Sequence, residues 1–254
     1  MKKIITLFGL ILCMFATAQE NVEYMYIHRN KNIVDSIAVN EIDSVTFAIP
    51  NAVLPDVPEI PSQTYEAVDL GLPSGIKWAT CNVGATAPEE YGCYYAWGET
   101  EEKPNYEWST YIYCNGSNST ITKYCNKSNF GTVDENEVLV PEDDAAHVNW
   151  GGSWRMPTLD EIKELLNNCT WTWTTQNGVN GREVTGPNGN SIFIPAAGSR
   201  YGTDLRYMGL ESAYWSATPF RYSNPAYCFY FHSISYDWNG EHRYYGHSVR
   251  PVSD

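Results

Sequence analysis

The stretch "NWGGSWRMPTLDE", residues 149–161, contains residue types that a catalytic loop could use, among them Arg155 and two Trp. Nucleophilic catalysis needs a nucleophile and a base within hydrogen-bond reach of each other. His147 is the only candidate base near this stretch, and no partner for it is visible. We therefore predict a structural joint, with Arg155 bridging a buried carboxylate or binding loop carbonyls.

Other catalytic chemistries also lack their residues. The sequence has no Gly-rich phosphate loop, nucleophile elbow or zinc motif, so we predict no enzyme and no cofactor. Six cysteines follow residue 18, and six cysteines allow 15 pairings. Cys114 and Cys125 flank the turn-rich "NGSNSTITKY" and are the candidate disulfide, whereas others of the six could be buried thiols.

The C-terminal segment 226–252 has the residue types of a recognition surface. Tyr and Trp supply rigid aromatic area, and Asn, Asp and His supply hydrogen bonds to a ligand. A tyrosine-rich sheet buried in the core is the alternative, and Asn239-Gly240 is predicted to form a hairpin turn. The candidate ligand-binding residues are Tyr222, Asn224, Tyr236, Asp237, Trp238, Asn239, Glu241, His242 and Tyr244.

One stretch has clear helical periodicity, "TLDEIKELLNN" from Thr158. Leu159, Ile162 and Leu165 fall on one face of a helix. Thr158 and Glu161 have the spacing of a capping box, in which each side chain accepts from the other residue's backbone N–H. The stretch therefore begins a helix, which explains half of the 149–161 motif.

The chain divides into four predicted parts. Residues 1–18 have the layout of a secretory signal peptide cleaved after Ala18, and lipidation at Cys13 stays open. Residues 19–49 contain two strand-like runs, and 50–63 form a Pro-rich linker. Residues 64–254 show many short strands and turns, and no segment is apolar for long enough to cross a membrane.

The charge of the chain excludes one class of partner. Cleavage after Ala18 would remove two lysines and no acids, so the formal charge of −14 becomes about −16. A field of this sign repels phosphate backbones, and no basic cluster offsets it. We therefore predict an exported protein, in the periplasm or outside the cell, that does not bind nucleic acid.

Seven phrases, taken in order, resemble the Fibrobacter succinogenes major paralogous domain, an exported bacterial family of surface-associated proteins. The resemblance runs from about Tyr65 to Val252, and the phrases are "AVDLGLPSGIKWATCNVGA", "YYAWGET", "ITKYC", "WGGSWRMPT", "NGNSIFIPAAG", "YWSATP" and "YYGHSVRPV". It implies an α+β, C-type lectin-like domain of twisted antiparallel strands, with one or two helices and long loops. A small β appendage precedes it.

The resemblance reaches more remotely to formylglycine-generating enzymes, which hold copper with cysteines close together near the C-terminus. Here Cys228 is the only cysteine after Cys169, so that chemistry lacks its ligands. The sequence also departs from the calcium-binding loop of lectins, because Gly240 occupies the position of a required acidic residue. The C-terminus is similar to proteins diversified by retroelements, whose variable positions lie between phrases such as "YWS" and "SVRPV".

Two functions remain open from the sequence. The first is a surface-facing binding module that recognises a glycan or a surface protein through the C-terminal loops and hairpin. The second is a structural or adhesive subunit in which residues 19–49 pair as strands with another chain.

Overall fold

The structure is a computed structural model, and it describes residues 24–29 and 32–38 as backbone and residues 65–134, 136–220 and 224–254 in full. The chain splits into two compact units, with the boundary between Ser62 and Gln63. The predicted signal peptide, the predicted linker and Tyr222 lie outside the described residues.

The N-terminal unit contains two strands, β1 (Tyr24–Arg29) and β2 (Asn32–Ala38). They pair antiparallel, with Tyr24 opposite Ala38 and a register shift between Ile27 and His28. Each strand overlaps one of the two runs that the sequence predicts as strand-like, "VEYMYIH" and "IVDSIAVNEIDSVTFAI".

The C-terminal unit is mostly short strands, with two α-helices among its described residues. The helices are α1 (Ala145–Trp150) and α2 (Leu159–Asn168), and 3-10 turns cover Trp108–Thr110 and Pro141–Asp143. The strands are β3 (Ala67–Asp69), β4 (Lys77–Ala79), β5 (Ile121–Cys125), β6 (Gly131–Val133), β7 (Thr170–Gln176), β8 (Val179–Thr185), β9 (Ser191–Pro195), β10 (Ser199–Tyr201), β11 (Asp204–Arg206), β12 (Glu211–Pro219), β13 (Pro225–His232), β14 (Tyr236–His242) and β15 (Val252–Ser253). This content agrees with the α+β prediction at the level of class.

The strands of this unit form five small sheets. Three of the sheets have three strands each, in the orders β15-β4-β3, β7-β8-β9 and β12-β13-β14. Two-stranded sheets join β10 to β11 and, in parallel, β5 to β6. None of the helices among the described residues is both long and apolar enough to span a bilayer.

The sheet β12-β13-β14 separates two parts of the core. Phe229 and Phe231 of β13 belong to one buried cluster, with Trp78 and residues of α2. Cys228, which directly precedes Phe229 in sequence, belongs to a second cluster with Trp97 and Trp215. Because successive side chains of a strand point to opposite faces, β13 is buried on both.

The 149–161 motif is a structural joint. The guanidinium of Arg155 donates to both carboxylate oxygens of Glu161, at 2.8 and 2.6 Å, and its backbone pairs with Val252 near the C-terminus. The predicted capping box between Thr158 and Glu161 is present at the start of α2. Burial opposes the ionisation of Glu161, yet the bonds from Arg155 hold its pKa below the usual range. Arg155 therefore links the helix start to the last strand.

The predicted disulfide between Cys114 and Cys125 is not formed. All six cysteines after residue 18 are free thiols. The Cys114 thiol donates to the carbonyl of Trp108 at 3.2 Å, and the Cys125 thiol donates to the carbonyl of Lys127 at 3.2 Å. Both thiols therefore have backbone partners of their own, and both are buried, as the alternative prediction of buried thiols has it.

The predicted turn at Asn239-Gly240 is wrong, because both residues lie inside β14. The loop that joins β13 to β14 is 233–235, closed by the Ser235 hydroxyl against Nε2 of His232 at 2.6 Å. At Gly240 a Cβ atom would come within 2.8 Å of the Phe220 ring. Glycine is therefore favoured at position 240 by a close tertiary contact and not by a turn.

Candidate functional site

The predicted ligand-binding residues lie mostly on β14, the edge strand of its sheet. Tyr236, Asp237, Trp238 and Asn239 are exposed, unlike the neighbouring residues of β13. The register pairs Trp238 with Phe229 and Asn239 with Cys228, so successive residues of β14 point to opposite sides of the sheet. These residues therefore do not converge on one site.

Tyr236 and Trp238 lie on the side of α2. The Tyr236 ring stacks on Trp171 at 5.1 Å between ring centres, and it lies 5.2 Å from the Arg182 guanidinium. The Lys163 ammonium lies 5.2 Å from the Trp238 ring. The residues form an exposed aromatic face that is already in contact with two cations of the same unit.

Asp237, Asn239 and Glu241 point to the other side. Glu241 is half-buried, and burial, together with the nearby charge of Glu211, raises the pKa of its carboxyl. Asn224 is buried, and its amide donates to the carbonyl of Asn118. Asn224, a predicted ligand contact, thus lies buried directly before β13 and bonds to the backbone of the same unit.

A cleft of about 420 Å³ lies beyond the end of β14, where Tyr244 lines it. This volume is within the range of small-molecule sites. Three segments of the chain form the cleft. Its lining residues are Asn105, Tyr106, Glu107, Tyr201, Gly202, Thr203, Asp204, Arg206, Tyr244 and Tyr245.

Backbone pairing brings the three segments of the cleft together. Tyr106 and Gly202 exchange two N–H···O bonds, of 2.9 and 3.0 Å, which join the first segment to the turn between β10 and β11. Arg200 and Gly246 exchange two more, of 2.8 and 3.0 Å, which place Tyr244 and Tyr245 beside that turn. A Cβ atom at Gly246 would lie 2.6 Å from the Tyr106 ring, so only glycine allows this approach.

The aromatic wall of the cleft is a continuous cluster of rings. Tyr245 contacts Tyr201 at 4.3 Å and Tyr244 at 4.6 Å between ring centres, and Trp108 contacts Tyr244 at 4.9 Å. His242 stacks on Tyr244 at 5.6 Å, and burial lowers the pKa of its imidazole. These distances are in the favourable range for aromatic pairs, so the wall is pre-organised.

The polar wall of the cleft is rich in hydrogen-bond acceptors. Asn105 Oδ1 is buried and has no hydrogen-bond partner among the described residues. The Glu107 and Asp204 carboxylates also line the cleft, and Asp204 lies 3.2 Å from the guanidinium of Arg206. Burial raises the pKa of Tyr201 to about 12, so its hydroxyl stays protonated and able to donate.

Among the predicted ligand-binding residues that the structure describes, only Tyr244 lines this cleft, and His242 stacks on it. The sequence reasoning missed Asn105 and Glu107 in "KPNYEW" and Tyr201, Asp204 and Arg206 in "SRYGTDLR". Each stretch contains one signal of local structure, which is Pro104 in the first and Gly202 in the second. Such signals mark a turn, and they do not say which turns meet.

The catalytic alternative gains no support from the geometry. His147 lies in α1, where its Nδ1 is 3.3 Å from the carbonyl of Trp154, and no nucleophile contacts it among the bonds of the described residues. Searching the described residues for three or more His, Cys, Asp or Glu side chains that could hold a metal found none. A second cleft, of about 450 Å³, lies beside the first and shares Asn105 with it.

Comparison of the chain with family models, curated proteins and solved structures gave no match.

Proposed function

We propose that residues 65–254 form an exported, surface-facing, non-catalytic binding module that recognises a glycan through the cleft of Tyr201, Tyr244 and Tyr245. The single observation that carries this proposal is the meeting of these three Tyr residues with Asn105, Glu107 and Asp204 in one cleft. Aromatic faces stack on sugar rings, and sugar hydroxyls donate to oxygen acceptors. The same residue mix serves recognition in antibody loops.

The lectin-like fold and the family resemblance belong to the same proposal. A lectin-like domain offers long loops at one end for ligand contact, and here the cleft is built from loops and strand ends. A glycan is favoured over a protein ligand because aromatic rings lie together with carboxylate and amide side chains in one open cleft. A protein interface would instead need a larger, flatter surface.

A glycan array tests the proposal with the full-length chain and two variants. Tyr244→Ala removes a ring that lines the cleft, and Trp238→Ala removes an exposed ring of β14 that does not line it. We expect Tyr244→Ala to lose binding by about tenfold or more, since one stacking ring contributes on the order of 1–3 kcal/mol in other stacking sites. Trp238→Ala should bind as the unchanged chain does.

Thermal unfolding of each variant shows that the loss is not a loss of fold. Equal losses in both variants would contradict the cleft as the binding site. Binding to purified surface proteins and to no glycan, with Tyr244→Ala abolishing it, would replace the glycan by a protein ligand.

A further inference from the structure

The charges around the cleft are mainly negative. Glu107 and Asp204 line it, and Arg206 pairs with Asp204 and lies 5.4 Å from the Tyr201 ring. The neighbouring cleft adds Glu99, Glu101 and Glu102 against one cation, Lys103. Because Arg206 neutralises Asp204, Glu107 gives the first cleft its net negative charge, which favours ligands of positive charge.

Two acidic groups behind the aromatic wall add to this field. Burial is the main cause of the raised pKa of Tyr201, and the nearby charges of Glu241 and Glu211 raise it further. The same field that opposes a tyrosinate would oppose any anion bound beside these rings. It would favour a cation there.

The aromatic wall favours a cation for a second reason. The face of each ring is the negative part of its quadrupole, and a cation within about 6 Å of a ring centre is attracted to it. Tyr244 and Tyr245 supply two such rings, and Arg206 already lies beside the third ring, that of Tyr201. His242, whose pKa burial lowers, stays uncharged at neutral pH and does not repel a cation.

From these observations we infer that the cleft selects glycans with a free, protonated amino group over the same glycans in N-acetylated or carboxylated form. This inference rests on the proposed function. An ammonium group offers three donors and a positive charge. N-acetylation removes the charge and leaves one donor, and a carboxylate would face Glu107 with like charge.

The test measures the affinity of the full-length chain for three defined oligomers by isothermal titration calorimetry. The oligomers are a glucosamine hexamer, the matching N-acetylglucosamine hexamer and a galacturonic acid hexamer. We expect the glucosamine oligomer to bind at least about tenfold more tightly than the N-acetylated one, as a charge-assisted hydrogen bond contributes on the order of 1.5–3 kcal/mol. The galacturonic acid oligomer should bind least.

Glu107→Gln is the diagnostic variant, because it keeps the shape of the side chain and removes its charge. It should reduce the preference for the free amine severalfold, while Asp237→Asn, which removes an exposed charge on β14, should leave the preference unchanged. Raising the salt concentration should also reduce the preference, since salt screens exposed charges.

The two levels of the proposal fail in different ways. Equal affinity for the amine and acetyl forms, or a preference that Glu107→Gln leaves unchanged, overturns the inference and leaves the glycan cleft in place. Failure of every oligomer and of the glycan array to bind overturns the proposed function itself.

Discussion

Phe229 and Trp238 lie directly opposite each other in neighbouring antiparallel strands, on the same face of one sheet. Phe229 is completely buried, stacked on Tyr214 at 4.9 Å, whereas Trp238 is 40 % exposed. Both strands contain aromatic residues, but β13 (PAYCFYFH) is mostly apolar and β14 (YDWNGEH) is mostly polar. Position in the sheet adds to this difference, because β13 has a strand on each side and β14 is an edge.

This comparison answers the question that the composition of the C-terminal segment left open. Both interpretations, a buried tyrosine-rich sheet and an exposed aromatic surface, describe part of the segment. Residues of β13 form the core, and β14 and the residues after it display aromatic rings. Aromatic content alone does not separate a core strand from a surface strand, since large rings serve both.

The largest expected effect is at Phe229. Phe229→Ala should lower the free energy of unfolding by about 3–5 kcal/mol, because the removed ring leaves a cavity among Trp78, Trp171 and Tyr214. Urea unfolding followed by tryptophan fluorescence measures the change. A loss below about 1 kcal/mol would show that Phe229 lies in a loosely packed site, contrary to the structure.

Gly240→Ala should have the next largest effect. The new methyl would come within 2.8 Å of the Phe220 ring, and overpacking of this kind costs about 1–3 kcal/mol. The matched control is Asn239→Ala, an exposed neighbour, which should change stability by about 0.5 kcal/mol or less. In a Phe220→Ala background the cost of Gly240→Ala should shrink, and an unchanged cost would mean that another contact is responsible.

The buried residue His247 makes the free energy of unfolding depend on pH. Its imidazole is completely buried beside Trp215, and burial lowers its pKa from 6.5 to about 3. The unfolded chain therefore binds the proton more readily between these values. Stability from this residue is complete above pH 6.5 and falls as the pH drops below it, by at most about 1.4 kcal/mol per pH unit.

His247→Gln removes the titrating group and tests this pH dependence. Free energies of unfolding measured at several values between pH 7 and pH 4 should fall less steeply for the variant than for the unchanged chain. Parallel lines for the two proteins would mean that His247 is not buried as an uncharged side chain.

Trp238→Ala should have the smallest effect. Trp238 keeps an edge contact with Tyr227 at 5.6 Å and the contact with Lys163, and an exposed cation–π contact contributes about 0.5–1 kcal/mol. We expect a loss of about 1 kcal/mol or less in urea unfolding, against the much larger loss at Phe229. Losses of similar size at the two positions would contradict the distinction between the edge strand and the central strand.

Two Asn-Gly pairs show how far local signals carry. Asn177-Gly178 joins β7 to β8 with positive φ angles of 48° and 85°, as a two-residue hairpin turn requires. Asn239-Gly240 has the same two residues and lies inside β14. The dipeptide permits a turn in both places. At Gly240, however, the Phe220 ring packs against the backbone, and the local sequence does not encode this tertiary contact.

The sequence by itself determined the features that depend on neighbours in the chain. The capping box of α2, its buried face and the structural role of residues 149–161 follow from spacing of a few residues, and the structure confirms them. The α+β class follows from many such local signals together. Residue type alone predicts Tyr244 and His242 as candidate ligand-binding residues, and this stays a prediction.

Only the tertiary structure decided where the candidate site lies. Asn105, Tyr201 and Tyr244 belong to three distant segments, which meet because Tyr106 pairs with Gly202 and Arg200 pairs with Gly246. Likewise, the burial of β13 and the exposure of β14 depend on which strands flank them. Contacts between distant segments are selected by the packing of the whole unit, so no short stretch of sequence specifies them.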